Sequence, residues 1–517
     1  MSEFLAKVTE YNGAVNSAVW GAFGLILLIG TGILVTVLTR FFQVSQIKHW
    51  WKHTIGSLFN KDVIGHSKDK KSISPFQALC TALAATIGVG NIAGVAAAIA
   101  TGGPGAVFWM WVAAFFGMMT NFSENVLGIY YRRRNEGGEW SGGAMYYLKD
   151  GLGKIPGYEW IGKVLAFLFC IFTLLASFGI GAMGQINKIV VNIESAFKNA
   201  SLSGVEVFEG VSLYSVILGA VLVIIAALIT LGGLKRIASF AEKVVPFMVV
   251  LFVSGSLILI AVNYSRILPA FGAIFSYAFN LKAVAGGTAG ALIAKVVQQG
   301  FKRGVFSNEA GLGSSVMVHS NTNIKEPVVQ GMWGIFEVFA DTMVVCTMTA
   351  LVVLTSKHYD LSSAGLIGPE RLIGTTDATF VADAFNSIFD FGIGFGAKFI
   401  AVAIALFAFT TVLGWDHYGS KAWEYLFGRS TTFVYKIIHL VTIFLGAVLT
   451  SSLAWDISDT FNGLMMIPNL IGVVALSSLV YQITKNYVDR RIKGKNVKPM
   501  LSAFSDIQKA HEKELDK

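Results

Sequence analysis

The chain has 517 residues, of which 54% are hydrophobic and only 14% are charged, and its mean hydropathy is +0.63. Soluble globular proteins carry about 25% charged residues, so this composition excludes an ordinary soluble protein and predicts many membrane spans. The formal net charge of +9 comes from basic residues that lie mostly in short loops between apolar runs. Basic residues in such loops set membrane topology, so the charge does not indicate a nucleic-acid partner.

Eleven apolar runs reach the length of about 20 residues that a bilayer crossing needs. The first run is too long for a signal-peptide core and has no obvious cleavage site, so we interpret it as a retained helix. No low-complexity linker divides the chain, which predicts one transporter domain over residues 1–517. The predicted spans are 17–39, 77–100, 104–130, 161–191, 213–233, 244–264, 284–303, 328–355, 393–415, 432–452 and 464–485.

The basic loops predict the orientation of the chain. Residues 40–71 are rich in lysine and should be cytoplasmic, which makes the first helix run inward from a short external N-terminus. With eleven spans, the other basic clusters are also expected inside. The loop 356–392 becomes the longest external segment, and the tail 503–517 a solvated, partly helical end. The clusters expected inside are Arg132–Arg134, Lys235–Arg236, Lys302–Arg303, Arg429 and the tail residues 490–495.

A cluster of small and polar residues interrupts the second span. Thr86, Gly88, Val89 and Gly90 follow one another closely within the apolar stretch 77–100. Glycines collect at membrane depth where helices pack closely, or where a helix breaks and offers bare backbone groups to a ligand. Non-helical backbone is tolerated there only if protein buries it or it lines a cavity.

A second interruption favours the broken-helix interpretation. Gln298, Gln299 and Gly300 occupy positions where a regular span would be apolar, and SNEAGLGS follows at 307–314. Apart from the span 17–39, the spans divide into two sets of five, 77–264 and 284–485, and each set opens with its interrupted helix. Five is odd, so the two sets enter the membrane from opposite sides as an inverted repeat, before a cytoplasmic tail at 486–517. Paired interrupted helices of this kind indicate a transporter binding site near the midplane.

Several motifs resemble the sodium:alanine (alanine or glycine:cation) symporter family across nearly the whole chain. The resemblance implies an all-α, leucine-transporter-like inverted five-helix repeat with one added N-terminal helix. It also implies inward transport of alanine and glycine with sodium across the cell membrane. The motifs are GGPGAVFWMWVAAFFG at 102–117, TALAATIGVGNIAGVA at 81–96, FKRGVFSNEAGLGS at 301–314, VLGWDHYG at 412–419 and IPNL at 467–470.

An amino-acid zwitterion needs hydrogen-bond donors for its carboxylate and acceptors for its ammonium. By the resemblance, the segment Thr86–Gly90 holds the carboxylate through its amides. Gln185 lies within an apolar run, FGIGAMGQINK, where it could bind substrate or bond a neighbouring helix; the resemblance favours the pocket. Gln298, Gln299 and Gly300 are expected at the second break, and two glutamines there would suit serine or glutamine as well as alanine.

Sodium requires several oxygen ligands, which hydroxyls and backbone carbonyls can supply. Thr410 and Thr411, in FAFTTVLGW, match the adjacent hydroxyl pair that completes a sodium site in leucine-transporter-like proteins. By the same resemblance, the carbonyls of Ala84 and Ile87 complete the set. The alternative is that both hydroxyls bond their own helix four residues back.

Three acidic residues and three cysteines lie within or beside the spans. Glu124 resembles a gate or scaffold carboxylate of the fold, while Glu337 and Asp341 share a helix face and could either coordinate a cation or bond across the bundle. The cysteines have no metal-ligand spacing, so they are interpreted as packing residues. They are Cys80, Cys170 and Cys346.

Two other classes of protein and one other coupling ion remain possible from the residues. An intramembrane enzyme lacks support because no metalloprotease or Walker motif is present and GVGNIAG at 88–94 lies within a span. A channel could use glycine-rich carbonyls but would not need a saturable site. Proton coupling is the nearest alternative to sodium coupling. We therefore expect no enzyme activity, no cofactor apart from the coupling ion and no obligate protein partner; the partners expected are an amino acid, sodium and the bilayer.

Overall fold

The computed structural model describes residues 2–59, 69, 71–197, 204–208, 211–279, 289–361, 378–389, 394–449 and 452–515. Parts of the predicted loops 40–71 and 356–392, and the first residues of the predicted span 284–303, therefore lie outside the described residues. Within the described part, two short antiparallel hairpins accompany the helices. They pair Arg133–Arg134 with Trp140–Ser141, and Glu206–Phe208 with Val211–Ser212.

Ten of the eleven predicted spans correspond to helices that are long and apolar enough to cross a bilayer. Nine such stretches occur among the described residues, together with one pair of helices bent by 56°. The second predicted span, 77–100, thus contains the broken helix that the sequence indicates. The stretches are Ala6–Leu38, Gly105–Tyr131, Glu159–Phe197, Leu213–Thr230, Gly233–Val262, Pro327–Thr355, Phe395–Phe427, Arg429–Val448 and Asp456–Ala475, and the bent pair is Pro75–Thr86 with Gly90–Gly102.

The remaining prediction, 284–303, overlaps the Ala289–Asn308 helix, which carries two glutamines and three basic residues. Shorter helices connect or extend the spans. The last predicted span, 464–485, begins and ends too late in the sequence. The apolar stretch in the structure is Asp456–Ala475, and a separate short helix, Ser477–Tyr487, follows it. The shorter helices include Phe42–Ser45, Ile47–His53, Ala144–Asp150, Ile267–Phe279, Val316–His319, Ala378–Phe389, Ser477–Tyr487 and Ser505–Leu515.

The N-terminal segment contains more helix than the sequence predicts. A helix at Ser2–Val19 precedes Ala22–Leu38, so the residues expected to form a short polar extension before the span 17–39 are helical. Gly21 lies at the junction, where a Cβ would approach the carbonyl oxygen of Ser17 to 2.3 Å. Only glycine therefore allows the two helices to meet so closely.

The first broken helix begins with a reciprocal cap and ends inside the bundle. Ser74 accepts a hydrogen bond from the backbone of Gln77, whose side chain accepts one from the backbone of Ser74, and Pro75 occupies the first turn. These features favour a helix start. The α-helix then stops at Thr86, and the chain resumes as a π-helix at Gly90–Gly94 and an α-helix at Val95–Gly102.

The second break lies about ten residues later than the sequence predicts. The helix Ala289–Asn308 is continuous through Gln298, Gln299 and Gly300, and it ends where Glu309 adopts a left-handed conformation with a φ of 54°. Positive φ values follow at Gly311 and Gly313. Gly300 instead permits close helix packing, because a Cβ there would lie 2.5 Å from the carbonyl oxygen of Ala106.

One basic cluster lies away from the predicted cytoplasmic face. Lys302 binds Asp459 at 2.7 Å and bonds Asn16 in the N-terminal helix. Its neighbour Gly300 packs near the start of the Gly105–Tyr131 helix, whereas Arg132–Arg134 follow that helix's opposite end. Lys302 and Arg303 therefore do not share a face with Arg132–Arg134, because an ion pair with a distant acidic residue stabilises Lys302 elsewhere.

The C-terminal tail is docked, which corrects the expectation of a solvated end. The backbone amide of Ala503 donates to the carbonyl of Tyr130 at 2.9 Å, and the buried His511 ring contacts Trp140. Upstream, Arg490 makes a two-point ion pair with Glu326 at 2.8 and 3.0 Å. The tail thus joins the loops at 130–141 and 322–326 on one face.

Candidate functional site

The first break turns two backbone amides out of the helical ladder. The amide of Gly88 donates to Asn91 Oδ1 at 2.9 Å, and the amide of Val89 makes a long hydrogen bond of 3.4 Å to Gln185 Oε1. A continuing helix would direct these amides to the carbonyls of Ala84 and Ala85. Ala84 therefore has a carbonyl near the break that Gly88 does not use, which is the arrangement expected for a cation ligand.

Thr411 contacts the same break from the Phe395–Phe427 helix. A Cβ at Gly88 would lie 2.6 Å from Thr411 Oγ1 and 3.4 Å from Gln185 Oε1. Three predicted site residues, Gly88, Gln185 and Thr411, are thus brought together. The close approach continues one turn on, where a Cβ at Gly414 would lie 2.6 Å from that of Ala85.

Both threonine hydroxyls also donate to their own helix. Thr411 Oγ1 donates to the carbonyl of Phe407 at 3.0 Å, and Thr410 Oγ1 lies 2.9 and 3.0 Å from the carbonyls of Phe407 and Leu406. A hydroxyl that donates retains two lone pairs for a cation. The backbone bonds therefore orient the hydroxyl oxygens without consuming their capacity as ligands. Ile87, the other predicted carbonyl ligand, is fully buried at the end of the first half-helix.

A cavity of about 20 Å³ lies between the two breaks. That volume accommodates about one water molecule, which is less than an amino acid occupies. The cavity is bounded by residues from both halves of the broken helix, from four other helices and from the second break. Its lining residues are Ala85, Thr86, Gly88, Gly90, Ile180, Gln185, Phe306, Glu309, Thr411, Trp415 and Asn462.

The two predicted glutamines do not line this cavity. Gln298 Nε2 donates to the carbonyl of Trp20 at 3.0 Å, which directs it toward the N-terminal helices. The Gln299 side chain packs on Gly102, where a Cβ would approach it to 3.1 Å. The residue from this helix that reaches the cavity is the aromatic Phe306, whose ring lies 3.0 Å from the position of a Cβ on Gly90.

Four polar or aromatic lining residues were not singled out as site residues from the sequence: Phe306, Glu309, Trp415 and Asn462. Trp415 follows Thr411 by one helical turn, and this spacing could have indicated that it shares the site. Glu309 could have been found from its place in SNEAGLGS. Asn462 lies in the Ser452–Ala475 helix, and only the folded chain shows that it reaches the cavity.

Asp341 and Glu337 belong to different hydrogen-bond clusters. Asp341 accepts from Asn91 and Ser307, each at 2.6 Å, so it supports the side chain that caps Gly88. Glu337 instead accepts from Asn121 at 3.3 Å and contacts His319 at 2.9 Å. The structure therefore shows bonding across the bundle for both, and it places Asp341 next to the first break.

Glu124 supports the second break from outside the cavity. Asn469 Nδ2 donates to Glu124 Oε1 at 2.5 Å and to the carbonyl of Gly311 at 2.9 Å. Tyr147 donates to the same asparagine. These contacts join three helical segments to the loop after Asn308, which suits the scaffold role that the sequence suggests for Glu124.

Comparison with known proteins assigns the family. The family model described as "Sodium:alanine symporter family" matches residues 5–501. The chain belongs to the sodium:alanine symporter family. It is 42% identical to the "Sodium/alanine symporter AgcS" of Methanococcus maripaludis, over 92% of this chain and 96% of that protein. It is 34% identical to the "Probable sodium/glutamine symporter GlnT" of Bacillus subtilis, over 96% and 94%.

The comparison with solved structures confirms the fold class predicted from the motifs. The crystal structure of MhsT in complex with L-phenylalanine aligns with a TM-score of 0.52 at 13% identity, covering 80% of this chain and 98% of that one. The chain therefore has the leucine-transporter-like fold. As a member of the sodium:alanine symporter family, it is a multi-pass membrane transporter and not an enzyme. The division into repeats at 77–264 and 284–485 stays a prediction.

Proposed function

We propose that this protein is a sodium-coupled symporter that imports small neutral amino acids, chiefly alanine and glycine, by alternating access. The observation that carries the proposal is the junction of Gly88, Gln185 and Thr411 around a small cavity at a broken helix. Amides at the break suit a carboxylate, while carbonyl and hydroxyl oxygens suit sodium. Membership of the sodium:alanine symporter family supports both assignments.

The cavity lining favours a small side chain. Phe306 closes the site against Gly90, and Gln298 and Gln299, which would have suited a larger polar substrate, make contacts elsewhere. Transport of glutamine stays a second candidate because GlnT, a relative of similar length, is described as a probable sodium/glutamine symporter. Serine, with one oxygen more than alanine, is an intermediate case.

The proposed sodium ligands are the backbone carbonyl oxygens of Ala84 and Ile87. The hydroxyl oxygens of Thr410 and Thr411 complete the set. One sodium ion moving down a tenfold gradient supplies about 1.4 kcal/mol, and a potential of 100 mV adds about 2.3 kcal/mol per charge. Together these could concentrate a net-neutral amino acid on the order of several hundredfold.

We further propose that the N-terminus is external and the C-terminus cytoplasmic, on the evidence of the basic loop 40–71 and the basic residues at 132–134 and 490–495.

The test is uptake by purified protein in liposomes. Radiolabelled alanine, glycine, serine and glutamine are each offered with an inward sodium gradient, and sodium is then replaced by choline at fixed pH. We expect saturable uptake of alanine and glycine that disappears in choline. Uptake that persists in choline and follows a proton gradient would replace sodium with protons, and conduction without saturation would indicate a channel.

A further inference from the structure

The second break carries a carboxylate on a residue whose backbone conformation is unusual. Glu309 directly follows the Ala289–Asn308 helix, its backbone φ is 54°, and only 5% of the residue is exposed. A left-handed conformation is strained for a residue with a side chain, and such strain collects at functional sites. The conformation directs the acidic side chain of Glu309 into the lining of the cavity.

Two donors fix the orientation of this carboxylate. Trp415 Nε1 donates to Glu309 Oε1 at 3.0 Å, and Ser314 Oγ donates to Glu309 Oε2 at 2.5 Å. A carboxylate has about four lone-pair positions, so each oxygen can accept one more hydrogen bond. Trp415 lies one turn from Thr411 on the same helix, and Ser314 lies beyond the break. The carboxylate is thus held between the two halves of the site.

A second acceptor lines the same cavity. Asn462 is 2% exposed, and within the part of the chain that the structure describes its side-chain oxygen accepts no hydrogen bond. A buried acceptor without a donor is costly, which indicates that a ligand supplies one. The cavity is therefore lined by Gly88 and Gln185 at the first break and by two acceptors, Glu309 and Asn462, among its other groups.

We propose that Glu309 receives the α-ammonium group of the substrate, with Asn462 as a second acceptor. The assignment rests on the proposed function and deepens it, because it names the residue that makes a protonated α-amino group obligatory. Burying a carboxylate is costly unless a counter-charge pairs with it, and a zwitterion whose own carboxylate lies at the first break brings one. A 2-hydroxy acid, which keeps the carboxylate but replaces the ammonium with a hydroxyl, is then rejected.

The alternative is that Glu309 only shapes the break. Glu309→Gln separates the two roles, because the glutamine oxygen can still accept from Trp415 and its amide can donate to the Ser314 oxygen. The shape and the local bonds are kept while the charge is lost. Glu124→Gln is the matched control, since it also neutralises a fully buried carboxylate bonded near the second break, but one that does not line the cavity.

The experiment measures equilibrium binding of alanine and of lactate to detergent-purified wild type, Glu309→Gln and Glu124→Gln in saturating sodium. Loss of a charge-assisted hydrogen bond should weaken alanine binding by Glu309→Gln about tenfold to a hundredfold. Lactate binding should change far less, so the preference for alanine falls by a similar factor. Glu124→Gln should keep the wild-type preference. Glu309→Gln with an unchanged preference for alanine over lactate would overturn the assignment.

If Glu309→Gln does not yield a folded monodisperse protein, Asn462→Ala takes its place, and it should reduce the preference for alanine several-fold; an unchanged preference would count against the pair. If the wild type takes up neither alanine nor glycine with sodium, the proposed function fails and the Glu309 assignment fails with it. Wild-type uptake combined with an insensitive Glu309→Gln rejects the Glu309 assignment alone.

Discussion

Gly88→Ala tests the junction between the broken helix and the Phe395–Phe427 helix. The added methyl carbon would lie 2.6 Å from Thr411 Oγ1 and 3.5 Å from Thr411 Cβ. The Thr411 hydroxyl is held by the carbonyl of Phe407 at 3.0 Å, so it cannot rotate away without losing that bond. Overpacking of this kind costs about 1–3 kcal/mol, which corresponds to about fivefold to 150-fold in an equilibrium constant.

Gly94→Ala provides the matched control on the same broken helix. A Cβ at Gly94 meets nothing within 4 Å, and its backbone is helical with a φ of −63°. Both variants are assayed for sodium-driven alanine uptake in liposomes, and the half-saturating concentrations of alanine and sodium are measured. For Gly88→Ala, we expect the half-saturating concentrations of alanine and of sodium to rise by about fivefold to 150-fold. For Gly94→Ala, we expect both concentrations to stay near wild type. Equal behaviour of the two variants would refute the geometry of the junction.

Three further predictions concern the ion, the orientation and the tail. Thr411→Val removes one sodium ligand at nearly constant shape, so the half-saturating sodium concentration should rise several-fold; an unchanged value in a folded protein speaks against the site. Glu3→Cys should react with an impermeant thiol reagent from outside intact cells and Glu512→Cys should not, and the reverse pattern would invert the topology. Burial, with the nearby Arg132, lowers the pKa of His511 from 6.5 to about 4. The docked tail thus favours the neutral ring, and its docking should weaken as pH falls from 6.5 toward 4; hydrogen exchange of Ser505–Leu515 should rise in wild type and change less in His511→Gln.

The first broken helix could be predicted from the sequence because a second interrupted stretch downstream favoured a break over close helix packing as the explanation of its glycines. Gly88 and Gly90 lie in an otherwise apolar run and both line the cavity. The second break was misplaced because glycine has two uses in membranes. Gly300 allows close helix packing, while Gly311 and Gly313 adopt positive φ values. Only the backbone angles distinguish these uses.

Long-range pairs account for the other errors. The sequence predicts a cytoplasmic position for Lys302, because it does not reveal the ion pair with Asp459. Glu309 belongs to the polar run SNEAGLGS, but its orientation depends on Trp415, which lies 106 residues away in the sequence. Tail docking depends similarly on Tyr130 and Trp140. Periodicity and composition report local structure, and they contain no information on which distant side chains meet.

In the proposed mechanism, sodium and the amino acid bind through one broken helix and so stabilise each other. Sodium affinity is measured by titration of the purified protein without alanine and with saturating alanine, and alanine affinity is measured with and without sodium. Thermodynamic linkage requires the two ratios to be equal, and a coupling of about 1–3 kcal/mol predicts a ratio of about 5 to 150. Sodium affinity that is the same with and without alanine would contradict the claim.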